Sequence, residues 1–315
     1  MKNRFDLAYY DRAQGGLVAE RVFAAGFLYW SYNTRLGRAV TRWVLSRRAV
    51  SRACGWLMRR SWSRHLIGPF ERATMADAPA DPRHAPAYAC FNDFFVRDRE
   101  GISEHTVRGA STCASPVDGK LFALCGIGAR ETFRVKRSLF NLEKLLGDRQ
   151  LGERFAGGTA LICRLGLCDY HHFHFPCSGV PQPAFAVAGR LYAGGPYALR
   201  TPTSFYAENF RMVTLIDSDR FGQVAQVEIG AFTVGSIRQH FRPGRRAHKG
   251  EKKGYFELGG STVVLVFAAG AIEIDGDLRR HSDRGFETRL RVGDSVGRVP
   301  RPAAPGSGPA CGRRP

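Results

Sequence analysis

Apolar residues recur at two different periods along this chain, and the change of period divides it. Between residues 17 and 70 the pattern is helical. Leu36, Val40, Trp43, Val44, Val50, Cys54, Leu57 and Met58 fall close to three- and four-residue spacing, which lays side chains on one helix face. Arginines from Arg35 to Arg64 fill the positions between them. Residues 72–90 run through Ala and Pro without a period and predict a linker. Past it the apolar runs become short, alternating or β-branched, at Leu121–Leu124, Thr159–Arg164, Val224–Ile229 and Thr262–Phe267. Gly- and Pro-bearing turns separate them, so they predict strands. One helix is predicted around Leu139–Leu146. The Pro-rich residues 298–315 cannot bury a core and predict a disordered tail. The expected fold class is α+β: a basic helical region over 1–71, the linker 72–90, and a β-rich, barrel- or sandwich-like body over 91–297. With 315 residues the core needs neither disulfides nor metal to fold.

Charge sharpens the first segment. The chain carries a formal net charge of +19, which excludes an anionic, purely solvating protein and points to an anionic partner. An apolar content of 44% excludes a wholly disordered chain. No acidic residue stands between Glu20 and Glu71, and all four tryptophans, Trp30, Trp43, Trp56 and Trp62, lie in the same stretch. A basic helical region bearing Trp and Leu is what an interfacial membrane helix looks like. The competing reading is an ordinary helix with a solvated Arg face, and the Arg excess is also what a G- and C-rich genome produces. Nucleic-acid binding suits the charge, but no motif for it is present. The longest apolar run, Val22–Trp30, is too short to cross a bilayer, and Met1–Asp11 is too polar for a signal peptide. Eight cysteines without a C-x-x-C pair predict free thiols in a reducing compartment.

Three segments could carry chemistry. Cys163–Cys177 (CRLGLCDYHHFHFPC) holds three cysteines and three histidines. Zinc sites need compact ligand pairs that this spacing lacks, and histidines satisfied by hydrogen bonds are the simpler reading. In a strand His172 and His174 share a face while His171 points away. Ser115–Lys120 (SPVDGK) reads as a turn in which Asp118 caps backbone amides. Val234–Ile237 (VGSI) places Gly235 before Ser236, leaving the peptide bond between them open to close approach. No nucleophile elbow surrounds Ser236, and phosphate-binding glycine loops are absent. An Asp, a His and a Ser in separate, sharply marked segments allow a triad of Asp118, one of the histidines 171–174, and Ser236.

Together these segments resemble the phosphatidylserine decarboxylase family, in the branch called type II. The matching stretches are Phe91–Arg97 (FNDFFVR), Ser115–Gly119, Asp169–His174, Asn209–Arg211, Val234–Ile237 and Lys249–Phe256 (KGEKKGYF) leading into Gly260–Val264. Tyr9–Arg12 (YYDR) and Tyr29–Asn33 (YWSYN) carry the branch. The resemblance implies a lyase made as a proenzyme that cuts itself between Gly235 and Ser236, giving a β chain, 1–235, and an α chain, 236–315. Asp118 would orient His174, His174 would act as general base, and Ser236 would be the nucleophile. Ser236 would end as a pyruvoyl group, the covalent cofactor, whose carbonyl forms a Schiff base with phosphatidylserine on the way to phosphatidylethanolamine. His171 is implied in proton transfer or substrate positioning. The resemblance implies no metal and no nucleic acid. Its implied partners are an anionic membrane surface at the cytoplasmic face of a bacterial cell membrane, and its own two chains as a heterodimer or higher oligomer. Other substrate-binding residues stay open. The alternatives are a soluble pyruvoyl-dependent amino-acid decarboxylase and a zinc- or nucleic-acid-binding module.

Overall fold

The computed structural model describes residues 8–20, 22, 24–74, 88–130, 133–135, 138–194, 205–232, 237–258 and 261–301. In chain order the strands are β1 (Ala8–Asp11), β2 (Gly16–Ala19), β3 (Thr112–Ala114), β4 (Gly119–Ile127), β5 (Phe133–Val135), β6 (Ser138–Phe140), β7 (Gly158–Leu165), β8 (His172–His174) and β9 (Gly179–Pro181). They continue with β10 (Phe185–Val187), β11 (Arg211–Ser218), β12 (Gly222–Ile229), β13 (Ile237–Gln239), β14 (Lys252–Phe256), β15 (Ser261–Phe267), β16 (Glu273–Ile274), β17 (Thr288–Leu290) and β18 (Ser295–Arg298). The main sheet runs in the order β10-β11-β12-β15-β7-β4-β17-β1-β2, with β9 also paired to β11. The four predicted strand runs are β4, β7, β12 and β15, the centre of this sheet.

Alternation along those four strands explains why both faces are covered. Leu121, Ala123, Leu161, Cys163, Leu165, Val263 and Leu265 enter one core. Phe122, Ala160, Ile162, Val264 and Val266 enter the other. A strand with two buried faces reads as a near-continuous apolar run. The first core is closed by two small three-stranded sheets, β13-β14-β8 and β16-β18-β3, through Phe173, Phe256 and Val296. The second is closed by Leu142, Leu145 and Leu146. The layering on the first face is sandwich-like, but the main sheet is an open path and does not close into a barrel.

Two local expectations shift. The segment predicted as one helix at Leu139–Leu146 begins as β6, and its helix is Leu142–Leu146. Asn141 sets the boundary because its side chain accepts from the Lys144 N–H at 3.0 Å, an N-cap that ends the strand. At the N-terminus, residues 17–19 are strand rather than helix, since β1 and β2 form a hairpin whose β1 pairs in parallel with β17. Helices follow at Ala25–Asn33, Arg35–Val40 and Arg48–Met58, and Ile67–Thr74 reaches into the predicted linker. Linker residues 75–87 and tail residues 302–315 lie outside the described residues. Buried charge fastens the hairpin. Arg164 forks to Glu20 at 2.9 and 2.8 Å and reaches Glu287 at 2.7 Å, while Lys120 meets Glu20 at 3.2 Å.

Candidate active site

Strand β8 turns Phe173 into the core and His172 and His174 to the opposite face of a small sheet, and each imidazole of the cluster meets a different partner. His171, just before the strand, is fully buried and stacks on Phe95 at 3.9 Å between ring centroids. Its Nδ1 lies 3.4 Å from Ser261 Oγ, and its Nε2 faces the Leu167 carbonyl. His172 sets Nε2 2.8 Å from the Val96 carbonyl and stacks on Tyr170. His174 sets Nδ1 2.9 Å from the Gly250 carbonyl. A carbonyl only accepts, so Nδ1 carries the proton and Nε2 keeps the lone pair. That Nε2 is buried with no hydrogen-bond partner among the described residues. Burial holds His174 down at about 4 and His171 at about 3, so both rings are neutral at neutral pH.

Asp118 sits in the expected turn, half-buried, but its side-chain partner is a residue that its own motif does not mark. Arg99 donates to both carboxylate oxygens, at 2.8 and 3.1 Å, and the Val292 N–H donates at 2.7 Å. Among the described residues no hydrogen bond joins Asp118 to His174. The backbone joins their segments instead, the His174 N–H donating to the Pro116 carbonyl at 2.8 Å. The only sequence signal for Arg99 was its place two residues beyond Arg97, at the end of the FNDFFVR stretch.

Gly235 and Ser236 lie outside the described residues; the chain on either side fixes where they attach. Phe232 donates its N–H to the Tyr192 carbonyl at 3.1 Å, and Ile237 opens β13 opposite Phe256 of β14. The Phe256 N–H in turn donates to the His171 carbonyl at 3.0 Å, whereas His174 is paired with Lys252 further along. The residue after Ser236 is therefore level with His171. Gly254 makes this sheet possible, because a Cβ there would collide with the Arg238 carbonyl and the Phe173 ring.

A buried ion pair beneath the same sheet was also missed. Lys253 and Glu228 are fully buried and 2.8 Å apart, and Gln239 bridges them, accepting from Lys253 at 2.8 Å and donating to Glu228 at 2.8 Å. Burial lowers the Lys253 pKa and raises that of Glu228. Asn209 and Arg211 are buried fasteners: Asn209 donates to the Tyr192 and Gly230 carbonyls, and Arg211 to those of Leu145 and Asn209. Cys163 and Cys177 pack into the core, where burial pushes their thiols up to about 12 and about 11. No His, Cys, Asp and Glu grouping able to hold a metal occurs among the described residues.

A family model described as phosphatidylserine decarboxylase matches residues 91–298. The phosphatidylserine decarboxylase proenzyme of Chlamydia pneumoniae is 38% identical over 293 residues, covering 93% of this chain and 97% of that protein. The proenzyme of Chlamydia trachomatis serovar L2 is 38% identical over 295 residues, at 93% and 97% coverage. That of Chlamydia felis is 37% identical over 292 residues, at 93% and 98%.

Proposed function

This chain belongs to the phosphatidylserine decarboxylase family, and on that premise we propose that it converts phosphatidylserine to phosphatidylethanolamine with a pyruvoyl group made from its own Ser236. The observation that carries this reading beyond the family is the His174 imidazole. A general base must be neutral and must hold an unpaired nitrogen. Burial keeps His174 neutral, the Gly250 carbonyl fixes its tautomer, and its Nε2 is free of partners among the described residues. In this reading Nε2 takes the Ser236 hydroxyl proton as Oγ attacks the Gly235 carbonyl. The amide becomes an ester, elimination releases the β chain with Gly235 as its carboxyl end, and hydrolysis with loss of ammonia leaves the α chain's ketone. Asp118, held by Arg99 in the turn packed beside β8, is assigned to the same step by its place in the family motif.

The finished ketone supplies the electron sink that loss of carbon dioxide from an amino acid requires. The surrounding residues suit such a group. His171, level with Ile237 and shut off from water, holds or moves a proton between Nδ1 and Ser261. Docking on the lipid surface falls to the N-terminal helices. Trp43, Trp56, Trp62 and Leu36 are exposed there, and arginines lie against two of the tryptophans, Arg60 at 4.0 Å from Trp56 and Arg42 at 5.7 Å from Trp43. Apolar side chains among cations suit an anionic bilayer face, here the cytoplasmic face of a bacterial membrane. No described helix is long and apolar enough to cross it.

Denaturing mass spectrometry tests the reading. The purified protein should yield two chains that part at 235/236, and it should turn phosphatidylserine into phosphatidylethanolamine. The Ser236→Ala protein should remain one inactive chain. A normally cut Ser236→Ala protein overturns the cleavage assignment.

A further inference from the structure

Two clefts are lined by arginines, and they differ in the carboxylates set against those arginines. In the cleft beside Asp118, of about 360 Å³, Arg99 is paired with that carboxylate and Arg97 donates to the Phe94 and Cys168 carbonyls. The other cleft, of about 630 Å³, lies between the N-terminal helices and the body, and Arg38, Arg42 and Arg190 line it. None of these three forms an ion pair with a carboxylate among the described residues. Glu208 is the one acidic residue in the lining among the described residues, and the Tyr32 side chain completes the wall.

The walls of this second cleft are fixed. Arg190 donates its side-chain N–H to the Arg42 carbonyl at 2.6 Å, and its backbone is tied to Glu208 at 2.9 Å and Phe210 at 2.8 Å. The Tyr32 hydroxyl accepts the Ala193 N–H at 2.7 Å, and the Leu191 N–H donates to the Ser46 carbonyl at 3.1 Å. At one end Tyr192 joins Phe232, which stands four residues before Ser236 in the sequence. At the other, Trp43 stands 61% exposed. A glycerophospholipid has the same order: acyl chains in the bilayer, a phosphodiester, then the amino-acid headgroup. Guanidinium groups with no carboxylate ion-paired to them among the described residues, in a cleft that also holds an exposed tryptophan, suit the phosphodiester, since arginine binds phosphate through paired hydrogen bonds.

We propose that Arg38, Arg42 and Arg190 form a phosphodiester site that seats the phosphate of the phosphatidylserine headgroup. This rests on the decarboxylase reading and adds the substrate-binding element to it.

The test uses the full chain and water-soluble dihexanoyl phosphatidylserine below its micelle concentration. The Arg190→Gln protein should cut itself normally and bind phosphatidylglycerol vesicles as the parent does. Its KM should rise about tenfold or more, with kcat within about twofold, the pattern of a lost charge-assisted contact. Arg190→Lys should recover part of the loss. Because a variant can fail to mature, binding is also read on the uncut Ser236→Ala chain by tryptophan fluorescence with glycerophosphoserine. Binding should saturate there, compete with inorganic phosphate, and disappear when Arg190→Gln is added. An unchanged KM, a KM rise matched by lost vesicle binding, or glycerophosphoserine binding that ignores Arg190 overturns the proposal. A parent protein that binds glycerophosphoserine through Arg190 yet decarboxylates nothing would instead sink the functional reading and leave the site standing.

Discussion

His171 and His174 are buried with no carboxylate hydrogen-bonded to either ring among the described residues, and this ties the fold's stability to pH. Both are held below the ordinary imidazole range, at about 3 and about 4. The unfolded chain binds their protons below about pH 6.5, and the folded chain does not until those lower values. Stability is therefore complete above the unfolded pKa and is lost as pH falls. Between pH 7 and 5 the two rings together should remove about 4 kcal/mol. Glu20, held at about 2 by Arg164 and Lys120 against the opposing effect of burial, stays ionised in both states through most of that window, so it adds little to the slope. Urea unfolding of the uncut Ser236→Ala chain measures the loss, and the added His171→Leu substitution should roughly halve it; a pH-independent midpoint contradicts the assignment. His174→Gln asks a different question. The amide can still donate to the Gly250 carbonyl but offers no basic nitrogen, so the protein should fold while self-cleavage slows at least about 100-fold, read by intact mass over time. The histidines were legible in the sequence as a cluster. Their tautomers were not, because the Gly250 carbonyl that sets one of them comes from a segment 76 residues away.

At the scale of elements, β13, β14 and β8 frame the proposed site although none of them announces itself as a strand. The long apolar runs of β4, β7, β12 and β15 could be read because both of their faces are buried. The three short strands hold His, Lys, Arg and Gln, and their pairing follows from Gly254 and from charges hidden below them. Lys253 sits at the register shift between β14 and β8, which turns it under the sheet towards Glu228. Removing one member of such a pair leaves an uncompensated buried charge. Lys253→Met should therefore cost about 3–5 kcal/mol. The double variant with Glu228→Met should recover about 2 kcal/mol of that loss, leaving the stranded Gln239 amide at about 1–3 kcal/mol. Denaturant unfolding of the four chains of this cycle measures the coupling, and additive single effects would show that the two groups act independently. Arg99 was hidden for a related reason: it acts through Asp118, whose turn is legible, but no local pattern marks a cation 19 residues upstream as its partner.

On the scale of the whole molecule, the proposed cut at 235/236 falls between strands that the main sheet interleaves. From the β chain come β12, β7, β4 and β1; from the α chain come β15, seated between β12 and β7, and β17, seated between β4 and β1. The small sheet repeats the arrangement, with β14 of the α chain bonded to β8 of the β chain, and the Lys253–Glu228 pair crosses the same boundary. The pairing order could not be read from sequence because β17 and β1 are three and four residues long and join in parallel across nearly the whole chain. Breaking one peptide bond removes none of these ladders, so the two chains should stay together without a covalent link. Cut protein should elute from a native sizing column at the position of the uncut Ser236→Ala chain, and it should unfold in one cooperative step reported alike by tryptophan fluorescence, from residues 30–62, and by far-ultraviolet dichroism. Separation should need denaturant strong enough to open the main sheet. The isolated α chain should then fail to refold alone, since β15 and β17 each lack both neighbours. Release of the α chain under native conditions would mean that the interleaved order is wrong.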